Sequence, residues 1–126
     1  MAVARQRYDR GRMAHFAGAA AEDLIAQDYE RRGFLIERRR WRGQGGEVDL
    51  IVRDGNNLIF VEVKKSRNLH RAAESLSGRQ MRRIYTSAEE FLAGEALGSM
   101  TNVRFDVALV DGQGMSQIIE NAFGHG

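Results

Sequence analysis

The chain contains no cysteine, which excludes disulfides and thiolate metal sites alike. No apolar run approaches the ~18 residues that a membrane span needs, and the arginine-rich start lacks the apolar stretch of a signal peptide. A cytoplasmic protein without a membrane partner is the expectation. Internal repeats, linkers and low-complexity tracts are also missing, so the 126 residues read as one domain. That domain spans 14–120, between a basic, mobile arm at 1–13 and a loose tail at 121–126. Net charge is small, at +2, but unevenly placed: residues 1–42 and 64–83 are basic, while 43–63 and 84–126 are acidic. Such segregation fits a basic face around an acidic centre, the layout for a phosphate-rich ligand over a metal; solvated arginines are the plainer alternative.

Against this background one stretch stands out, Gly45 to Lys64 (GGEVDLIVRDGNNLIFVEVK). Two alternating runs flank Asp54-Gly55-Asn56-Asn57, whose composition is that of a hairpin turn. Alternation puts Val48, Leu50 and Val52 on one face and Glu47, Asp49 and Ile51 on the other. In the second run Ile59, Val61 and Val63 oppose Phe60, Glu62 and Lys64. A turn centred on Gly55-Asn56 sets Asp49 across from Glu62, and Glu47 across from Lys64. Like charges so placed, roughly 4.5–5.5 Å apart, are destabilising. Two facing carboxylates are tolerated when a cation lies between them, and a divalent metal is the natural candidate. For Lys64 the plain alternative is a cross-strand ion pair with Glu47.

Upstream, Ala14 to Arg32 predicts a helix with Ala17, Ala21, Leu24, Ile25 and Tyr29 on one stripe, stopped by Gly33. Glu22 lies close to that stripe, where a carboxylate needs an arginine partner or a cation; Gly18, one turn earlier, leaves room for a neighbouring element. Phe34 to Trp41 alternates as a strand with Phe34 and Ile36 inward, and Arg38, Arg39, Arg40 and Arg42 cluster at its end. Trp41 either packs at the rim or stacks on a base. Gly43 to Gly46 reads as a flexible turn.

Beyond Lys64 a basic loop carries Lys65, Arg67, His70 and Arg71. Ser77-Gly78-Arg79-Gln80 matches a capping box, so Gln80 is either a cap or a polar member of an active site. Met81, Ile84, Tyr85, Ala88, Phe91 and Leu92 continue as an amphipathic helix whose outer first turn carries Arg79, Arg82 and Arg83, placed for phosphate contact. Val103 to Val110 predicts a strand with Val103, Phe105, Val107 and Leu109 on one face and Asp106, paired to a base, on the other. Asp111 to Gly114 turns into a last short strand, Met115 to Glu120. The expected fold class is α/β: a small mixed sheet flanked by helices.

Two facing carboxylates plus a backbone carbonyl suffice for a hard ion such as Mg²⁺. That ion would polarise a phosphodiester and supply hydroxide near neutral pH. Lys64, two residues beyond Glu62 on the same face, is placed to orient the water or stabilise developing charge.

Gly18-x-x-x-Glu22, Gly46-Glu47-Val48-Asp49-Leu50-Ile51, Phe60-Val61-Glu62-Val63-Lys64 and Arg104-Phe105-Asp106-Val107 together resemble the YraN-like family. That family looks like a branch of the PD-(D/E)xK nucleases, similar to archaeal Holliday-junction resolvases. The resemblance implies an αβββαβ restriction-endonuclease-like core with an extra C-terminal strand, and an Mg²⁺- or Mn²⁺-dependent endonuclease acting on DNA. By it, Asp49, Glu62, the Val63 carbonyl and Glu22 would hold metal, Lys64 is the catalytic lysine, and Gln80 matches a polar position near such sites. Arg38, Arg39, Arg40, Arg42, Lys65, Arg67, Arg79, Arg82 and Arg83 would grip phosphate. The pattern departs at Arg79, where lysine is expected. Junction resolvases work as dimers, and a homodimer is open here. A non-catalytic nucleic-acid-binding module of the same shape is the alternative, and a subunit meeting an acidic protein partner is a third.

Overall fold

The computed structural model describes residues 19–74 and 76–123. The basic arm, residues 14–18 with Gly18, where the sequence predicts the start of the helix, and the end of the tail at 124–126 lie outside the described residues.

Helix α1 spans Ala19–Arg31, and Ala21, Ile25, Ala26 and Tyr29 on its inner face are completely buried. Gly33, at φ +94°, ends it. The Gly33 amide donates to the Glu30 carbonyl and the Phe34 amide to that of Tyr29, the paired bonds of a Schellman motif. The apolar contact that accompanies this motif is Tyr29 against Phe34, ring centres 5.9 Å apart.

Three antiparallel strands follow: β1 (Leu35–Gly43), β2 (Gly46–Asp54) and β3 (Asn57–Lys65). Short helix α2 (Leu69–Glu74) and longer helix α3 (Gly78–Leu92) lead to β4 (Val103–Val110) and β5 (Ser116–Ile119). Strand order in the sheet is sequential, and only the β3–β4 pair is parallel, joined through the helices because parallel strands need a long crossover. The chain is thus a single α/β domain: a five-stranded mixed sheet flanked by helices.

The β2–β3 hairpin has the expected register, from Asp54 opposite Asn57 to Leu50 opposite Val61. Gly55 takes φ +64°, as the first central residue of a type II′ turn does. Each sheet face carries its own core. On the α1 face lie Leu50, Val52, Ile59, Val61, Val63, Ala108 and Val110; on the α3 face lie Val48, Ile51, Leu58, Phe60, Val107 and Leu109. Both faces being covered, β3 reads as an almost unbroken apolar run.

The strict alternation expected of β2 does not hold. Val48 shares the α3 face with Ile51, whereas Leu50 and Val52 take the α1 face, so alternation breaks at Asp49. Strand β1 breaks at the matching place. Arg38 lies over the Phe91 ring of α3, Arg39 and Arg40 both reach α1, and Trp41 returns to the α3 side, edge-on to Phe91. The cause is Arg40, in the left-handed region at φ +50°. Pairing of Arg39 with Leu50 and of Trp41 with Val48 is undisturbed, so Arg40 and Asp49 turn together.

Three other expectations change. The basic loop after β3 contains α2, whose Ala72 is buried. Gly43 to Gly46 is a packed turn: a Cβ on Gly45 would lie 2.7 Å from the Thr86 Cβ of α3, and Ser87 donates to the Gly46 carbonyl at 2.8 Å. Residues 121–123 are docked rather than loose, with the Ala122 amide donating to the Phe105 carbonyl, Phe123 buried, and Tyr85 donating to the Phe123 carbonyl.

Candidate active site

Asp49 is the centre of the site because it has left the regular pleat. Its Oδ2 accepts the Val63 backbone amide at 2.7 Å, just past Leu50–Val61, the last pair of the β2–β3 register. A side-chain carboxylate thus takes a β3 amide where ladder pairing stops. Both Glu62 and Glu22 act on it electrostatically. Burial first, then the charge on Glu62, pushes the Asp49 carboxyl up to about 8, against a smaller opposing effect of the Val63 amide. Asp49 and Glu62 interact, but not as the directly opposed ladder pair that the turn register predicts, since the pairing stops at Leu50–Val61.

Glu22 arrives from α1 and is 9% exposed. One carboxylate oxygen from each of Glu22, Glu47 and Asp49 lies within 4.8 Å of the others. Glu47 was missed as a site residue; its signal was that it stands two residues before Asp49 on the same strand face. The alternative for Lys64, an ion pair with Glu47, is not formed among the described residues. Glu47 faces Arg42 in the β1–β2 register, with a side-chain contact of 3.4 Å, and Lys64 Nζ sits 3.4 Å from Glu62 Oε2, both side chains nearly buried. Of Val63, it is the amide that the structure engages with Asp49.

The remaining candidates divide into engaged and free. Gln80 is committed to its helix as a capping box requires: its backbone N–H donates to Ser77 Oγ and its side-chain Oε1 accepts the Ser77 N–H, both at 3.2 Å. Arg38, Arg39, Arg40 and Arg42 are paired with Glu37, Asp23, Glu22 and Glu47 respectively. Lys65, Arg67, Arg79, Arg82 and Arg83 are exposed, and none of them is in an ion pair among the described residues. His70 bonds its own helix neighbour Glu74 at 3.1 Å, on the border of a polar cavity of 720 Å³ with Ser66, Asn68, Arg71 and Glu74. Asp106 faces away from Phe105 as expected and is fully buried, accepting from Tyr29, Arg104 and the Asn121 amide. Its role is structural.

Carboxylate oxygens with no thiolate form the donor set of a hard divalent ion, and oxygens of Glu22, Glu47 and Asp49 converge here with Glu62 acting on Asp49. Glu22, Glu47 and Asp49 therefore fit such a cation, whereas Glu62, expected among the ligands, lies outside that group and acts on Asp49 from beside it.

Residues 21–110 match the family described as uncharacterised protein family UPF0102. The chain belongs to this family. Among its relatives, a UPF0102 protein of Ruegeria pomeroyi is 60% identical, covering 93% of this chain and 95% of the relative. One of Roseobacter denitrificans is 50% identical over 95% of this chain and 93% of its own length. One of Dinoroseobacter shibae is 47% identical, with 94% and 89% covered. The UPF0102 match ends at Val110, so it contains every acidic residue of the site and leaves β5 outside. Among the described residues no helix is long and apolar enough to cross a membrane.

Proposed function

We propose that this UPF0102 chain is a metal-dependent endonuclease of the PD-(D/E)xK superfamily, hydrolysing phosphodiester bonds of DNA, branched structures included, in the cytoplasm. The observation that carries it is the meeting of Asp49 and Glu62 at the end of the β2–β3 pairing, with Lys64 beside Glu62 and Glu22 and Glu47 beside Asp49. Mg²⁺ or Mn²⁺ held by these carboxylates would polarise the scissile phosphate and lower the pKa of a bound water.

The chain's own residues do the rest. Asp49 is held by the Val63 amide, so its carboxylate keeps one orientation without any ligand, which is the preorganisation a catalytic acid needs. Lys64, nearly buried against Glu62, supplies a localised ammonium where negative charge grows on the phosphorane. Exposed Arg79, Arg82 and Arg83 at the start of α3, with Lys65 and Arg67 after β3, are free to meet backbone phosphates. Arg38, Arg39 and Arg42 are drawn into intramolecular pairs and contribute less. Gln80 serves as a cap in this account.

One observation favours the second reading, a nucleic-acid-binding module without catalysis: Glu22 already has a cation, Arg40, at 2.7 Å. Incubation of the full chain with duplex, flap and four-way-junction DNA in Mn²⁺ separates the two. Nicking by the wild type that is lost in Asp49→Asn and in Lys64→Ala supports the enzyme. Salt-sensitive binding with no cleavage of any substrate, unaltered by EDTA, leaves the module in its place.

A further inference from the structure

Among the described residues Arg40 is the one strand residue other than glycine whose φ is positive. At φ +50° it occupies a region that a long, unbranched side chain rarely enters. Such outliers persist where the surrounding structure holds them and gather at functional sites. Arg40 has no share in the apolar cores, and its side chain is half exposed, so burial of the side chain does not explain the twist. What the twist accomplishes is specific. It turns two consecutive arginines towards α1: Arg39 takes Asp23, outside the acidic cluster, and Arg40 takes Glu22, inside it.

The Arg40 Nε donates to Glu22 Oε1 at 2.7 Å, and Glu47 also acts on the guanidinium. Two of the three clustered carboxylates thus feel this charge. A guanidinium cannot be deprotonated in this range of pH, so the acidic centre carries a permanent internal cation. Unlike Lys64, which is nearly buried beside Glu62, Arg40 has solvent on one side and can leave.

We propose that Arg40 is an exchangeable counter-ion: it neutralises Glu22 when the acidic centre holds no metal, and a divalent cation must displace it to recruit that carboxylate. This rests on the metal-centre reading above and adds a competition to it. On this proposal Arg40 and the ion compete for Glu22, so Arg40 weakens metal binding while keeping the metal-free centre from repelling itself. The left-handed backbone is what aims the side chain at Glu22, since Arg39 reaches the same helix but takes Asp23, and Trp41 projects to the α3 side.

The test is calorimetric titration of Mn²⁺ into the wild-type chain, Arg40→Gly, Arg39→Ala and Asp49→Asn, each in the absence of DNA. Glycine adopts positive φ without strain, so Arg40→Gly removes the charge while easing the backbone and is expected to fold. Freeing one charge-assisted carboxylate hydrogen bond should tighten Mn²⁺ binding by about tenfold in Arg40→Gly, with Arg39→Ala within about twofold of wild type because screened surface charge does little. Unchanged or weaker binding in Arg40→Gly, beside a wild type that binds and an Asp49→Asn that does not, overturns the counter-ion role and leaves the metal centre standing. Equal tightening in Arg39→Ala also overturns it, since bulk charge would then be the cause. No Mn²⁺ binding by the wild type removes the centre itself, and the inference with it.

Discussion

Asp49 and Asp106 show how one residue type is put to opposite uses by its surroundings. Asp106 is fully buried yet surrounded by donors: the Tyr29 hydroxyl at 2.7 Å, both arms of Arg104 and the Asn121 amide. The same carboxylate pushes the Tyr29 phenol far above its ordinary range, after burial itself. Asp106→Ala would strand those donors and should cost about 3–5 kcal/mol in urea unfolding, with Mn²⁺ binding by the folded fraction unaltered; a loss under about 1 kcal/mol would show the network to be dispensable. Asp49 meets one amide and several acids, so its carboxyl rises to about 8. The folded chain then holds a proton that the unfolded chain gives up near pH 3.8. The sign follows: this contribution to metal-free stability is complete below about pH 4 and is lost as pH climbs through about 8. In EDTA the wild type should lose on the order of 2–4 kcal/mol across that window, a decline that Asp49→Asn flattens because its amide donates to Glu62 without a proton. Parallel pH profiles of the urea midpoint for the two chains would refute the raised carboxyl.

Elements deliver these residues by local rules that act before any tertiary contact. Helix α3 starts at a complete capping box, which satisfies two amides that would otherwise face water or nothing. Ser77→Ala should therefore lower stability by about 1 kcal/mol. Gln80→Ala should cost a similar or smaller amount, with nicking by the folded protein unchanged. Loss of nicking in Gln80→Ala without loss of stability would move Gln80 from the cap into the active site. The β1–β2 turn has a tighter constraint, because Gly45 approaches α3 where a Cβ would collide with Thr86. That contact locks the strand leading into Glu47 and Asp49 against the helix that carries Arg82 and Arg83.

At the scale of the whole molecule, charge is separated in space as well as in sequence. The β1 arginines are engaged by carboxylates of α1, β2 and, for Arg38, β1 itself, so the cations left for a polyanion are those at the start of α3 and after β3. Replacing Arg79, Arg82 and Arg83 together by alanine should flatten the dependence of log K on log[salt] for a short duplex by about 2–3, read by fluorescence anisotropy in KCl. Arg39→Ala, already paired with Asp23, should leave the slope alone. An unchanged slope in the triple variant would place the DNA-binding face elsewhere.

Residue order by itself determined what short-range periodicity controls. The α1 stripe and its Gly33 stop, the Gly55–Asn56 turn, the capping box and the two faces of β4 all follow from spacing within a few residues, and with the turn came the meeting of Asp49 and Glu62. Tertiary structure alone decided what depends on separate elements arriving at one point. The break in alternation at Arg40 and Asp49 sits in two strands at once, so neither strand's pattern announces it. Glu22 joins Glu47 and Asp49 only because α1 packs across the sheet end, and Arg40 finds Glu22 only because its backbone is forced over. Packing also closed Phe123 onto Tyr85 and formed α2, whose six residues are too few for helical periodicity to register. Local spacing can place a charge on a face, but which charge neutralises it is a property of the assembled core.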